Sequence, residues 1–154
     1  MKFDESAIVK QALSDAREQL QQRGRIYPAA YMLVSNNPQT GAPLTHPTAI
    51  GAVQETPFAS QAEYDAFLDT LRAEVVRLGA TAVALAGEAN AEVETKSGVE
   101  TRRVFYLRVE DQVGVEQLHA PIEKGESGVV RLGKLLADAG AADILDAPLL
   151  PRRS

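Results

Sequence analysis

The stretch that decides the fold covers residues 60–86 and has the sequence SQAEYDAFLDTLRAEVVRLGATAVALA. It opens with a capping box, in which the Ser60 side chain accepts from the third helical N–H while Glu63 reaches back. Apolar residues then recur every three or four positions up to Gly79, which predicts a helix with one buried face. Residues 81–86 are apolar without alternation, as is typical of a strand covered on both sides. The apolar helix positions are Tyr64, Phe67, Leu68, Leu71, Val75 and Leu78.

The residues before this stretch predict one helix and two strands. Residues 1–24 carry apolar side chains at three- and four-residue steps, and Gly24 is placed to end that helix. Residues 26–35 are rich in aromatic and branched residues and predict a strand, with Pro28 at its start or on an edge. After a Pro-rich turn, residues 48–53 complete a hairpin.

The residues after it predict about three strands and a third helix. Strand signals lie at residues 81–86, 89–95, 101–110 and 113–122. Apolar spacing then predicts a short helix over residues 129–139. The order α-β-β-α-β-β-β-α predicts an α+β fold, in which three helices pack on a single antiparallel or mixed sheet of about five strands.

This order resembles that of the roadblock and longin-type modules over most of the chain. We expect residues 1–142 to form one domain and residues 143–154, which contain Pro148 and Pro151, to extend along the surface as a tail. A second resemblance covers residues 79–122, which contain Gly79-Ala-Thr-Ala-Val-Ala-Leu-Ala-Gly-Glu88-Ala and His119-Ala-Pro-Ile122. This segment resembles a group of small uncharacterised bacterial and phage proteins, which implies a bacterial origin and no particular activity.

Composition excludes several classes of protein. The 154 residues include no cysteine, 16 Lys and Arg, and 21 Asp and Glu, for a formal net charge of −5. A chain without cysteine has no disulfide framework, thiol nucleophile, zinc finger or iron–sulfur cluster. An acidic chain also lacks the basic surface of a dedicated nucleic-acid-binding protein.

No targeting or membrane-spanning segment is visible in the sequence. Residues 1–5 turn acidic where a signal peptide is apolar. The longest purely apolar run, residues 82–86, is far shorter than the about 20 residues of a membrane helix. We therefore expect a cytoplasmic protein without a membrane partner.

An acidic stretch after the central strand offers a candidate metal site, because hard cations bind several converging carboxylates. The alternative is a charge-paired hairpin around a turn at residues 97–98. A two-residue turn places Glu92 opposite Arg103, and a three-residue turn places Glu94 opposite Arg102. We favour the hairpin and expect no metal. The acidic residues of this region are Glu88, Glu92, Glu94 and Glu100, and the basic residues across the turn are Arg102 and Arg103.

His119 is a second candidate, because histidine changes its charge near neutral pH. If the loop at residues 111–114 has four residues, His119 faces Tyr106 and Leu118 faces Leu107. Leu118 and Leu107 then share an apolar face, and His119 lies on the opposite face. Without a second histidine at a pairing distance, a residue on the sheet surface is the favoured interpretation.

Ser127 is a third candidate. Residues 125–128, Gly-Glu-Ser-Gly, precede the predicted third helix and could cradle an anion at its N-terminus. The phosphate-binding pattern G-x-x-x-x-G-K-[ST] is absent, and Glu126 would repel a phosphate. Ser127 also lacks the G-x-S-x-G elbow of a nucleophilic serine, so we favour a loop and helix cap.

A basic strip formed by Arg102, Arg103 and Arg108 offers a weak nucleic-acid hypothesis. Phe105 and Tyr106 are interleaved with it, as in stacking platforms for single strands. The chain has only 4 Phe and 4 Tyr and no Trp, and acidic residues flank the strip. We expect no nucleic-acid partner.

The function that the sequence favours is a non-catalytic interaction module that self-associates. Residues 26–35 carry almost no charge, so a sheet edge there would invite pairing with a second copy in a homodimer. The alternative is that Pro28 and a helix shield this edge within the monomer. A small-molecule or ion-binding domain is the first alternative. An enzyme whose site is assembled from distant residues is the second. We expect no cofactor, and no protein partner other than a second copy can be named.

Overall fold

Two helices and seven strands are formed by the residues that the structure describes, which are 7–54, 58–125, 127–138, 143–145 and 147–151. In this computed structural model, the side chain of Val93 also lies outside the described part. No helix in these ranges is long and apolar enough to cross a membrane. The elements are α1 (Ala7–Arg23), β1 (Ala29–Asn36), β2 (Pro43–Val53), α2 (Gln61–Arg77), β3 (Ala82–Thr95), β4 (Gly98–Asp111), β5 (Val115–Lys124), β6 (Val130–Leu132) and β7 (Leu136–Ala137).

The strands form an antiparallel sheet with the order β2-β1-β3-β4-β5-β6, and β7 also pairs with β5. The sheet curls into a half-barrel. The predicted fold of about five strands and three helices is therefore wrong. The two strand signals at residues 81–86 and 89–95 belong to one long strand, β3, and β2 begins five residues before the predicted strand.

Within the described part of the predicted third helix, residues 129–138, β6 and β7 are present in place of a helix. Val129 and Val130 are β-branched and favour strand geometry. Gly133 donates its N–H to the Pro121 carbonyl at 2.8 Å, and a Cβ at this position would lie 2.7 Å from Pro121 Cγ. Glycine is therefore required there by close packing, and it is a poor helix former.

The two helices lie on opposite faces of the sheet. The α1 face packs Ile8, Val9 and Leu20 of the helix against the sheet, including Phe105 and Leu107 of β4. The α2 face packs Leu68, Leu71 and Val75 against β1 and β3. Successive strand residues point to opposite faces, and residues 82–86 of β3 are buried on both, as their unbroken apolar sequence predicted.

The local signals for both helices are confirmed. The Ser60 side chain accepts from the Glu63 N–H at 3.2 Å, and the Glu63 carboxylate reaches back to the N–H of Ala59. The positive φ angles of Gly24 and Gly79, 72° and 60°, allow the chain to turn away after each helix. The buried face of α2 includes Leu68, Leu71 and Val75, and Tyr64 and Phe67 are partly buried.

One predicted register is right and one is wrong. His119 pairs with Tyr106, as expected for a four-residue loop between β4 and β5. The turn between β3 and β4 lies instead at residues 96–97, one residue before the predicted position. This shift places Glu92 opposite Thr101 and Glu94 opposite Val99, so neither predicted Glu–Arg pairing occurs.

The prediction of an exposed edge at residues 26–35 is also wrong. β1 contains most of these residues and lies inside the sheet between β2 and β3, so it is not an edge. Within the predicted tail, Leu145, Leu149 and Leu150 are buried on the α2 face. The last three residues of the predicted tail, 152–154, lie outside the described residues.

Candidate functional site

The predicted site residues divide among separate places, and only Glu88 and Arg103 come together. Arg103 Nε and Nη2 donate to the two oxygens of Glu88 at 2.9 and 2.7 Å. Glu88 also accepts from the Ile26 N–H, and Arg103 donates to the Gly24 carbonyl at 2.6 Å. Burial raises the pKa of Glu88, but the hydrogen bonds from Arg103 and Ile26 outweigh it and hold that pKa below its usual range. Through these contacts, the Glu88–Arg103 pair connects the chain just after α1 with the hairpin of β3 and β4.

The other residues of the acidic hairpin are spread along its exposed arm. Glu92 and Glu94 are exposed on β3, and Arg102 forms an ion pair at 3.2 Å with Glu100 on its own strand. Within the described ranges, no group of three or more His, Asp or Glu side chains is close enough to hold a metal ion. The arrangement gives a cation no converging set of carboxylates there.

His119 and Ser127 lie apart from each other and from the hairpin. His119 Nδ1 contacts the Asp138 carboxylate, and both side chains are partly buried. Ser127 is exposed in the turn between β5 and β6, where the Gly125 N–H donates to the Val129 carbonyl. Because no helix follows this turn, the helix N-terminus on which the anion cradle depended does not exist.

The basic strip does not form. Arg103 lies on the α1 face beside Glu88, whereas Arg108 is 1% exposed on the opposite face. Alternate residues of a strand point to opposite sides, which separates Arg103 from both Arg102 and Arg108. The aromatic residues divide in the same way, with Phe105 buried in the α1 core.

The surface with the clearest capacity for association is β2, which ends the described sheet. Its residues, PLTHPTAIGAV, include no Lys, Arg, Asp or Glu. Most of them are exposed, and within the described residues β2 pairs with β1 alone. Long, uncharged strands in this position offer backbone groups to another strand.

The direction of the backbone groups of β2 follows from one hydrogen bond. Gln54 N–H donates to the Pro28 carbonyl at 2.7 Å, in line with the pairing of Ala29 with Val53. Since hydrogen-bonded and non-hydrogen-bonded pairs alternate in antiparallel sheets, alternate residues of β2 point N–H and C=O away from β1. These residues, Ala49, Gly51 and Val53, are called the outer edge.

The outer edge is supported from the α1 side. Gly51 pairs with Tyr31, and a Cβ at Gly51 would lie 2.7 Å from the Tyr31 ring. The Tyr31 hydroxyl donates to Asp15 of α1 at 2.9 Å. Burial, followed by the hydrogen bond and the charge of Asp15, raises the pKa of Tyr31. Through this hydrogen bond, α1 holds the Tyr31 ring against Gly51, the middle residue of the outer edge.

Sequence reasoning missed both the outer edge and an ionic cluster in which Arg108 and Glu110 are buried and Asp143 is partly exposed. The uncharged sequence of β2 and its Pro47, which has no N–H to donate, were the available signals for an edge. No local signal links residue 108 with residue 143. No family model matches the chain, and no curated protein and no solved structure is similar to it at a significant level.

Proposed function

We propose that this protein is a non-catalytic interaction module that self-associates by pairing the outer edges of β2 in two copies. The observation that carries the proposal is the outer edge itself, with its unpaired backbone groups and no charged side chain along the strand. Such an edge is a ready template for a further strand unless charge or cover protects it.

A two-fold axis through Gly51 gives the pairing a definite geometry. Two antiparallel strands related by this axis place Ala49 opposite Val53 of the second copy and Gly51 opposite Gly51. All three positions have outward N–H and C=O groups, so the interface contains about six backbone hydrogen bonds. Each copy contributes the same patch, as in the common two-fold homodimers.

Charge also favours this surface. The chain has a formal net charge of −5, so most contacts between copies bring like charges together. The strand from Pro43 to Val53 has no carboxylate, so two copies can approach along it without bringing two negative charges of the strand together. Pairing through this edge therefore adds no carboxylate–carboxylate contact from the strand itself.

Sedimentation over a range of micromolar concentrations tests the proposal, because the monomer has a mass of 16.5 kDa. We expect a reversible increase toward twice that mass. Val53→Pro removes the outward N–H of Val53, which is 41% exposed, and should prevent the increase. Val53→Ala keeps this N–H and is the matched control, so it should associate like the original chain.

A single species of 16.5 kDa at every concentration would contradict the proposal. Equal association of Val53→Pro and Val53→Ala would show that copies meet through another surface. Circular dichroism of both variants checks that the sheet is intact.

A further inference from the structure

The α2 face of the sheet contains a groove filled by residues 143–151, of which the structure describes all but residue 146. We call these residues the 143–151 segment. Leu145, Leu149 and Leu150 are 7%, 2% and 4% exposed and pack with the apolar side chains of α2, β1 and β3. The groove therefore has apolar sites for three side chains of a peptide.

One buried side chain in the groove recognises a carboxylate. Arg108 Nε and Nη2 lie 2.6 and 2.8 Å from the two carboxylate oxygens of Asp143, which makes a bidentate pair. The third nitrogen, Nη1, donates to Glu110 at 2.8 Å. A planar guanidinium held in this way fits a carboxylate in position and in orientation.

Two further side chains bind the main chain of the segment. The carboxylate of Glu110, which is 4% exposed, accepts from the N–H groups of Leu149 and Leu150 at 3.0 and 2.8 Å. Arg72 of α2 donates to the carbonyl oxygens of Pro148 and Ala147 at 3.1 and 3.2 Å. These are main-chain groups of a bent segment, with bends at residues 144–145, 147 and 149–150. A peptide that adopts the same bends can make the same contacts.

The buried ionic groups indicate recognition more than stability. A buried ion pair is often no more stabilising than apolar side chains of the same volume, because both charges lose water. Arg108 and Glu110 nevertheless occupy the floor of the groove, where each has partners in the segment. The segment is open to solvent on its outer side, where Ile144 is 55% exposed and the Asp143 side chain is 36% exposed.

We propose that this groove is a peptide-binding site whose partner is an acidic peptide of another protein, bound in the bent conformation of residues 143–151. The peptide presents a carboxylate and apolar side chains at the spacing of Asp143, Leu145, Leu149 and Leu150. The 143–151 segment is then a ligand in cis, which leaves the groove when the partner peptide enters. This inference does not depend on the pairing of β2.

The test uses the full chain and a fluorescent synthetic peptide with the sequence of residues 143–151, DILDAPLLP. The Asp143→Asn and Leu149→Ala substitutions together weaken the chain's own segment. Fluorescence anisotropy should show saturable binding to this double variant and binding roughly tenfold weaker to the original chain, in which the segment competes. A peptide with Asp143→Asn should bind the double variant roughly tenfold more weakly, since it loses the charge-assisted pair.

Matched substitutions in the groove and outside it locate the binding. Adding Arg72→Gln should weaken peptide binding, whereas adding Arg102→Gln on the exposed arm should leave it unchanged. Absence of saturable binding, or equal binding of the two peptides, would overturn the proposal. A dimer formed by exchange of segments between copies, without uptake of free peptide, would also overturn it.

Hydrogen exchange on the unmodified chain gives an answer that does not depend on the folding of any variant. The amides of Leu149 and Leu150 should exchange at least about tenfold faster than that of Val83 in β3, because the segment opens locally. Added peptide should bind the open state and keep the segment out of the groove. Ile144, which is already exposed in the closed segment, should then become more exposed. If these amides exchange only with global unfolding, the segment is a fixed part of the core and the proposal fails.

Discussion

Gly51 lies at the centre of the outer edge and beneath the ring of Tyr31. The ring is 2% exposed, and its hydroxyl is bound to Asp15. A larger residue at 51 would collide with a ring that has little room to move. Glycine at this position therefore serves the packing of α1 on the sheet, and its outward backbone groups remain available for pairing.

Gly51→Ala should lower the free energy of unfolding by about 1–3 kcal/mol, because the new Cβ would lie 2.7 Å from the ring. Urea unfolding at low protein concentration measures this change. Gly114→Ala is the control, since a Cβ there meets nothing within 4 Å, and its effect should stay under about 0.5 kcal/mol. Equal effects of the two substitutions would contradict the tight packing at Gly51.

Glu88 makes stability depend on acid. Its pKa in the folded protein lies below the ordinary value of 4.5, so the folded state binds fewer protons than the unfolded state near that pH. The stabilisation is complete above 4.5 and is lost as the pH falls through the folded pKa. Stability therefore rises with pH across this window.

Glu88→Gln should lower the free energy of unfolding at neutral pH by about 1–2 kcal/mol, because it weakens the contacts to Arg103 and Ile26. The variant should also lose less stability than the original chain between about pH 4.5 and about pH 3. Urea unfolding across this range measures both effects. Glu92→Gln, on the exposed arm, should change stability by under about 0.5 kcal/mol. A full acid dependence in Glu88→Gln would disprove this role.

Among the elements, α2 could be predicted in detail from the sequence. Its start, end and buried face all depend on neighbours within four residues, such as Ser60 with Glu63. The β4–β5 register followed from the length of one loop, which placed His119 opposite Tyr106. Short-range rules were sufficient wherever the contacts were local.

The elements that were mispredicted depend on distant residues. Gly133 belongs to the region between β6 and β7 because it packs on Pro121, and the apolar spacing around it also fits a helix. The position of β1 inside the sheet depends on its pairing with β3, about 50 residues later in the chain. The ion pair of Arg108 with Asp143 joins residues that are 35 positions apart. A periodic pattern does not contain such pairings.

Leu71→Ala should lower the free energy of unfolding by about 2–5 kcal/mol, because Leu71 is 5% exposed between α2 and the sheet. Val76→Ala on the same helix is the matched control, since Val76 is 66% exposed, and it should cost under about 0.5 kcal/mol. Urea unfolding of both variants measures the difference. A loss below about 0.5 kcal/mol for Leu71→Ala would mean that this face of α2 does not pack on the sheet.

The molecule as a whole combines an acidic surface with one uncharged sheet edge. The net charge of −5 opposes contact between copies at every distance within the screening length. The backbone groups of β2 act only at contact. The balance between the two effects decides the strength of the proposed association.

Raising the salt concentration from about 0.02 M to about 0.3 M should therefore strengthen self-association, because it screens the repulsion between acidic copies. Sedimentation equilibrium at both salt concentrations measures the dissociation constant. Val53→Pro should remain monomeric at each of them. Association that weakens with salt would indicate an interface of opposite charges in place of the β2 edge.

The contacts between Glu110 and the 143–151 segment also have a consequence for the order in which the protein folds during synthesis. Glu110 is added to the growing polypeptide 39 residues before Leu149, whose N–H it binds in the folded chain. At about 5–20 residues per second, the ribosome needs about 2–8 s to supply that partner. Among the described residues, the buried side chains of the α1 face lie at or before Ala120, and the last partly buried side chain that packs on them is Leu135. The α1 face is therefore synthesised before the 143–151 segment. Translation thus supplies the residues of the α1 face before it supplies the 143–151 segment, which fills the groove on the α2 face.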